Sequence, residues 1–80
     1  MTIGSAVIQR ILDLCKTQNI SVNKLSTISG VTQSTLNNIV SGRNNSTTIS
    51  TIKKLCDGLE ISVTDFFNAE IFEDLEQEIK

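Results

Sequence analysis

The 80-residue sequence predicts an all-α fold. Apolar residues recur at intervals of three and four along most of the chain, as on one face of a helix, and no stretch shows a convincing strand pattern. Ser or Thr stands before four of these stretches, where a hydroxyl can cap the first turn of a helix. A chain of this length is expected to form one domain with a single modest core.

The first amphipathic helix is predicted from about Ser5 to about Gln18. Gly4 and Ser5 precede the periodic stretch, and Asn19 is the expected stop. Its inward positions are Val7, Ile8, Ile11, Leu14 and Cys15.

Two short helices are predicted on either side of Gly30. Ser21 caps the first helix, which ends near Gly30, and Thr32 caps the second, which ends at Gly42. Because glycine adopts a left-handed backbone at little cost, Gly30 allows a sharp turn between them. The two helices therefore form a helix-turn-helix motif. Their inward residues are Leu25 and Ile28, then Leu36, Ile39 and Val40.

Two further helices and an acidic tail follow. Thr48 caps the fourth helix, and Ser62 with Asp65 forms a capping-box pattern at the start of the fifth. The residues predicted to be inside these helices are Ile49, Ile52, Leu55, Cys56 and Leu59, then Phe66 and Phe67.

An apolar stripe in the tail predicts a sixth, amphipathic helix over residues 69–80, separate from a helix-turn-helix domain over residues 1–68. The stripe, which lies among acidic residues, consists of Ile71, Phe72, Leu75 and Ile79. It can pack on its own domain or on a second copy of the chain, and the sequence favours neither.

The composition argues against catalytic and metal chemistry. The sequence has no His, Trp or Tyr, so the commonest general base is missing, and two cysteines alone cannot close a zinc site. Cys15 and Cys56 are therefore interpreted as small core side chains rather than nucleophiles. We expect no enzyme activity, cofactor, metal or small-molecule ligand. No signal peptide or membrane span is evident, so we expect a cytoplasmic protein with reduced thiols.

The net charge of −2 hides an uneven distribution. Residues 1–54 carry six basic side chains and one acidic, a net +5, whereas residues 55–80 carry one basic and eight acidic, a net −7. Such asymmetry indicates a basic half that binds nucleic acid. Two solvated faces of opposite charge would give the same pattern.

The stretch KLSTISGVTQSTLNNIVSGRNN, followed by TIKKLCDGLEISVTDFF, resembles the phage repressor and Cro family of DNA-binding regulators. The similarity runs from about Ile11 to Phe67. It implies a five-helix, repressor-like DNA-binding domain with a helix-turn-helix, here followed by a short C-terminal helix. It also implies a transcriptional regulator of phage or prophage type, a repressor, that binds a palindromic double-stranded DNA operator as a homodimer. The alternative is a module that keeps the fold but binds another protein, such as an antitoxin-like or phage adaptor protein.

The resemblance also assigns roles to individual residues. The helix at about residues 32–41 would lie in the major groove, where amides can donate and accept in one bidentate contact. Base contacts are assigned to Gln33, Ser34, Asn37 and Asn38. Phosphate contacts are assigned to Ser21, Thr32, Thr35, Arg43 and Asn44. The expected dimer interface does not come from the resemblance, which ends before the tail, but from the apolar residues of the last two helices: Phe67, Ile71, Phe72 and Leu75.

The alternative for the polar helix is an ordinary solvated face, on which charged residues would be expected, and this face has none. Among its departures from the family, the sequence has Cys15 where many members have Arg and Val40 where many have Glu. Apolar packing can replace such an ion pair without loss of stability.

Overall fold

The computed structural model describes residues 1–43 and 46–79. These residues form five α-helices: α1 (Ile3–Thr17), α2 (Val22–Ser29), α3 (Gln33–Val40), α4 (Ile49–Leu59) and α5 (Val63–Phe67). One turn of 3-10 helix, Glu70–Phe72, follows them. Because the described residues contain no strand, the predicted all-α fold is confirmed.

Each α-helix begins after a hydroxyl residue that caps its first turn. In every case the side-chain oxygen accepts a hydrogen bond from the backbone N–H three residues later. A cap of this kind stabilises a helix by about 1 kcal/mol. The caps are Thr2, Ser21, Thr32, Thr48 and Ser62. The predicted start of the first helix at Ser5 was late, because the hydroxyl oxygen of Thr2 accepts from the Ser5 N–H at 3.1 Å.

All five helices contribute to one hydrophobic core. Its fully buried side chains include Leu25, Leu36, Leu55 and Phe66. Cys15 and Cys56 are buried in the same core, and burial raises the pKa of both thiols. Both cysteines are thus core side chains, as predicted. Val40 packs against this core as a half-buried residue, so the two family departures contribute apolar contacts.

Two side chains predicted to lie inside are exposed. Ile49 is 72% exposed and Ile28 is 38% exposed. Ile49 is the first residue of α4, and most of its side chain is left uncovered. Ile28 lies at the edge of the buried face of α2. Helical spacing places a residue on a face but does not determine whether another element covers it.

The helix predicted over residues 69–80 is shortened to the 3-10 turn Glu70–Phe72. Glu73, Asp74, Glu76 and Glu78 follow this turn at the spacing that places like charges side by side on a helix. Carboxylates are also unfavourable at the C-terminal end of a helix, where the backbone dipole is negative. The tail instead contacts the N-terminus, with Glu76 N–H donating to the Met1 carbonyl at 3.0 Å.

Polar side chains of α1 satisfy the carbonyls at the ends of two other helices. The guanidinium of Arg10 donates to the carbonyls of Asp65 and Phe66 at 2.8 and 2.7 Å. Near the other end of α1, Gln18 Nε2 donates to the Leu59 carbonyl at 2.8 Å. Carbonyls in the last turn of a helix lack a full set of partners within that helix, so these three bonds fix the C-terminal ends of α5 and α4. The Asp65 carbonyl also accepts from the Asn68 N–H at 3.2 Å.

A glycine allows α4 to pack closely against α2. A Cβ atom added to Gly58 would lie 2.8 Å from the Cα of Ser29 and 2.9 Å from its backbone nitrogen. Backbone atoms cannot rotate away from such a contact. The absence of a side chain at Gly58 therefore sets the separation of the two helices at the end of α2.

We expect Gly58→Ala to lower the free energy of unfolding by up to about 2 kcal/mol in urea titrations. Helix propensity favours alanine by about 1 kcal/mol, but overpacking costs about 1–3 kcal/mol. Ser50→Ala, at an exposed position of the same helix, is the control and should cause no such loss. A Gly58→Ala protein as stable as the parent would show that the two helices can separate at little cost.

Candidate nucleic-acid interface

The turn between α2 and α3 is held by hydrogen bonds that satisfy its polar groups. Gly30 has a left-handed backbone, with φ +74°, and ends α2 as predicted. The hydroxyl of buried Ser26 donates to the Val31 carbonyl at 2.6 Å, and the Val31 N–H donates to Ser29 Oγ at 3.3 Å. Val31 is itself buried. These bonds fix the orientation of α3 relative to α2.

One side of α3 is buried and the other is polar. Leu36 and Ile39 are buried in the core. The predicted base-contacting residues Gln33, Ser34 and Asn37 are exposed, and Asn38 is half-buried. Residues four apart in a helix share a face, so Gln33 lies beside Asn37 and Ser34 beside Asn38. The structure thus brings all four side chains together on an uncharged surface, which we call the amide face.

The hydroxyls at the start of α3 form a chain of hydrogen bonds. Thr32 Oγ1 accepts from the Thr35 N–H at 3.2 Å and donates its own proton to Thr35 Oγ1 at 2.9 Å. Both hydrogen bonds of the Thr32 hydroxyl are therefore made to Thr35. The exposed Thr35 hydroxyl is the one that can donate a hydrogen bond to a phosphate. Ser21, the cap of α2, accepts from the Lys24 N–H at 3.0 Å and is also exposed.

Arg43 follows α3 at the edge of the amide face. Gly42 has a left-handed backbone, with φ +83°, and turns the chain back towards the helix. Arg43 is exposed, and its Nη1 donates to the Asn38 side-chain oxygen at 3.5 Å. The remaining predicted phosphate contact, Asn44, lies outside the described residues.

The positive charge of the N-terminal half is only partly available for a ligand. Arg10 is bound to the carbonyls at the end of α5, and Lys53 forms an ion pair with Asp57, which raises the pKa of the lysine. Among the described residues, Lys16, Lys24, Arg43 and Lys54 are exposed and form no ion pair. Four cations remain for an anionic partner.

The residues expected at a dimer interface are all half-buried within the single chain: Phe67, Ile71, Phe72 and Leu75. The ring centroids of Phe67 and Phe72 are 5.0 Å apart, and both rings lie near the buried Phe66. This aromatic cluster packs the tail against its own domain and leaves part of each side chain exposed.

Sequence reasoning missed residues that connect the helices of the domain to one another. Arg10 was counted among the binding charges, although it anchors α5, and Gln18 was noted only as a helix end. No local pattern predicts either contact, because Arg10 and Phe66 are 56 positions apart in the chain. The close contact at Gly58 could have been predicted, because a glycine inside a periodic helix indicates a close backbone contact.

Two absences hold for the part of the chain that the structure describes. No three His, Cys, Asp or Glu side chains are grouped so that they could hold a metal ion. No helix there is long and apolar enough to cross a membrane.

Comparison with known proteins agrees with this geometry. Residues 10–70 match the family model for the Cro/C1-type HTH DNA-binding domain. The chain belongs to the Cro/C1-type helix-turn-helix family. It is also similar to prophage Lp1 protein 11, known from a crystal structure, with a TM-score of 0.81 and 37% sequence identity over 94% of this chain and 99% of that one. A comparison with curated proteins gives no match.

Membership of the Cro/C1-type family confirms the resemblance found in the sequence. The family match includes α2, α3 and the turn between them, together with α4 and α5. The chain is therefore a DNA-binding helix-turn-helix protein. The roles of individual residues on the amide face remain predictions.

We expect Ser26→Ala to lower the free energy of unfolding by about 1–3 kcal/mol, because the carbonyl of buried Val31 would lose its partner. Thr27→Ala is the matched control. Thr27 lies on the same helix and also donates to a backbone carbonyl, that of Asn23 at 3.3 Å, but it is exposed. Its loss should change stability by less than about 0.5 kcal/mol. Equal effects in urea titrations would mean that the turn bond adds nothing beyond an exposed one.

Proposed function

We propose that this protein is a sequence-specific transcriptional regulator, a repressor of phage or prophage type, that inserts α3 into the major groove of DNA. The observation that carries the proposal is the amide face: four amide and hydroxyl side chains lie together on the outer side of a helix whose inner side is fixed in the core. In helix-turn-helix proteins, this helix contacts the edges of bases. We propose the cytoplasm as its location, because the DNA it would regulate is there.

Amide and hydroxyl groups are suited to base recognition because they form directional hydrogen bonds. Gln and Asn can donate and accept in one contact, and Ser can do either. Lys and Arg would add attraction to phosphates of any sequence. A recognition helix without charge therefore favours discrimination between sequences over general affinity, and the four available cations would supply that affinity.

Selection of bound fragments from a random DNA pool tests the proposal directly. Enrichment of one sequence motif is the expected result. A second candidate function is a module that binds another protein, which the low number of available cations favours. A folded protein that enriches no sequence would support this second function.

We also propose that the protein acts as a homodimer on a palindromic operator. A single recognition helix contacts only a few base pairs, whereas two copies related by a two-fold axis contact half-sites about 34 Å apart. The partly exposed apolar side chains of the tail support a contact between copies. The enriched motif should then be an inverted repeat.

Gln33→Ala and Thr35→Val should separate base recognition from phosphate binding. Gln33→Ala removes a base contact, so affinity for the preferred site should fall by about 1–3 kcal/mol while affinity for random DNA stays unchanged. Thr35→Val keeps the N–H that Thr32 caps but removes a hydroxyl donor, so affinity for both DNAs should fall by a similar factor. Fluorescence anisotropy with both DNAs measures the difference. A Gln33→Ala protein with full preference would exclude Gln33 from base recognition.

Binding should weaken steeply with salt. If the four available cations of each subunit contact one phosphate each, a dimer neutralises about eight. The slope of log affinity against log salt concentration should then be near −7. Lys24→Ala should make the slope shallower by about one unit per subunit. An affinity independent of salt would argue strongly against DNA as the ligand.

Leu75→Asp should weaken dimerisation, because it places a charge in the half-buried apolar stripe of the tail. Ile79→Asp is the control, since Ile79 is 86% exposed and lies in the same tail. Sedimentation gives the oligomeric state, and circular dichroism shows whether the fold is intact. If Leu75→Asp remains folded and as dimeric as the Ile79→Asp protein, the tail does not form the interface.

A further inference from the structure

The end of α3 brings a guanidinium onto the amide face. Ser41 ends the helix and Gly42 follows with a left-handed backbone. In the common glycine-ended helix, the residue after the glycine packs against the third residue from the helix end. Here those two residues are Arg43 and Asn38. The backbone turn therefore brings the two residues together, and their side-chain rotamers complete the 3.5 Å contact from Arg43 Nη1 to Asn38 Oδ1.

This contact changes the hydrogen-bonding capacity of Asn38. A free amide has an acceptor oxygen and a donor NH₂, and together these suit adenine, which offers a donor at N6 and an acceptor at N7. In this structure a cationic donor lies at the oxygen, which makes that oxygen a poorer acceptor for a second N–H. The NH₂ group, with two donors, remains for the DNA. Guanine presents two neighbouring acceptors, N7 and O6, in the major groove.

We propose that Arg43 is a positioning residue that directs Asn38 to guanine rather than adenine. The half-buried state of Asn38 supports this role, because the other three members of the amide face are exposed and have no comparable restraint. The inference rests on the proposed DNA-binding function and specifies one base of the site. Arg43 can still contact a phosphate through its remaining N–H groups.

The test compares guanine and adenine at one base pair of the selected sequence. Preference at that base pair should disappear in Asn38→Ala, which identifies the position. The parent protein should prefer guanine there, and Arg43→Ala should lower the guanine-to-adenine affinity ratio by about fivefold or more. Lys24→Ala, which removes a charge on α2 instead of the one bonded to Asn38, should keep the ratio. An unchanged ratio in Arg43→Ala, or a parent preference for adenine, would overturn the proposal.

A measurement without DNA examines the same contact. In nuclear magnetic resonance spectra of the free protein, the side-chain NH₂ signals of Asn38 should shift in Arg43→Ala and not in Lys24→Ala. Unshifted signals in both variants would contradict the contact. If the parent protein enriches no DNA sequence at all, the proposed function fails, whereas enrichment with an unchanged base ratio refutes only the role of Arg43.

Discussion

The close approach of α4 to α2 at Gly58 is the packing constraint on which the DNA-binding motif depends. The backbone of Ser29 lies where a side chain of residue 58 would be, and the hydroxyl of Ser29 accepts from the Val31 N–H in the turn. The contact with α4 thus positions the last turn of α2, and with it the turn from which α3 begins. The side chains of the amide face belong to α3, but their position depends on α4, which contributes no side chain to that face.

The charged residues of the chain also fall into two groups, those that stabilise the fold and those that are exposed and available to a ligand. Arg10, the most internal of the basic residues, stabilises helix ends instead of binding a ligand. Lys53 is neutralised by Asp57. The acidic tail contacts the N-terminus through Met1 and Glu76. Under the proposed function, this modest number of cations would give modest general affinity for DNA, and directional hydrogen bonds would supply the discrimination between sequences.

Local features of the fold could be predicted from the sequence, and features that depend on distant contacts could not. Four helix caps and the turn at Gly30 were predicted, because a cap or a left-handed glycine depends on a few adjacent residues. The exposure of Ile49 could not be deduced, since it depends on which helices cover the start of α4. The tail helix was predicted from its apolar stripe alone, although the acidic residues around the stripe oppose a helix.

For the candidate site, the sequence predicted which residues take part but not the contact between two of them. The resemblance named the members of the amide face, and the structure places them on one exposed side of α3. The contact between Arg43 and Asn38 could not be predicted, because it depends on the φ angle of Gly42 and on two side-chain rotamers.

Glycine occurs at both turns that flank α3, whereas two other left-handed positions are occupied by Asn19 and Glu60. A Cβ atom at Gly30 or Gly42 would meet no other atom within 4 Å, so glycine is required there by backbone angle rather than by space. A left-handed backbone costs an ordinary residue about 1 kcal/mol or more. At Glu60 the chain tolerates that cost. The residue before it, Leu59, accepts a hydrogen bond from Gln18 through its carbonyl. The least strained of these turns are therefore those that fix the two ends of α3.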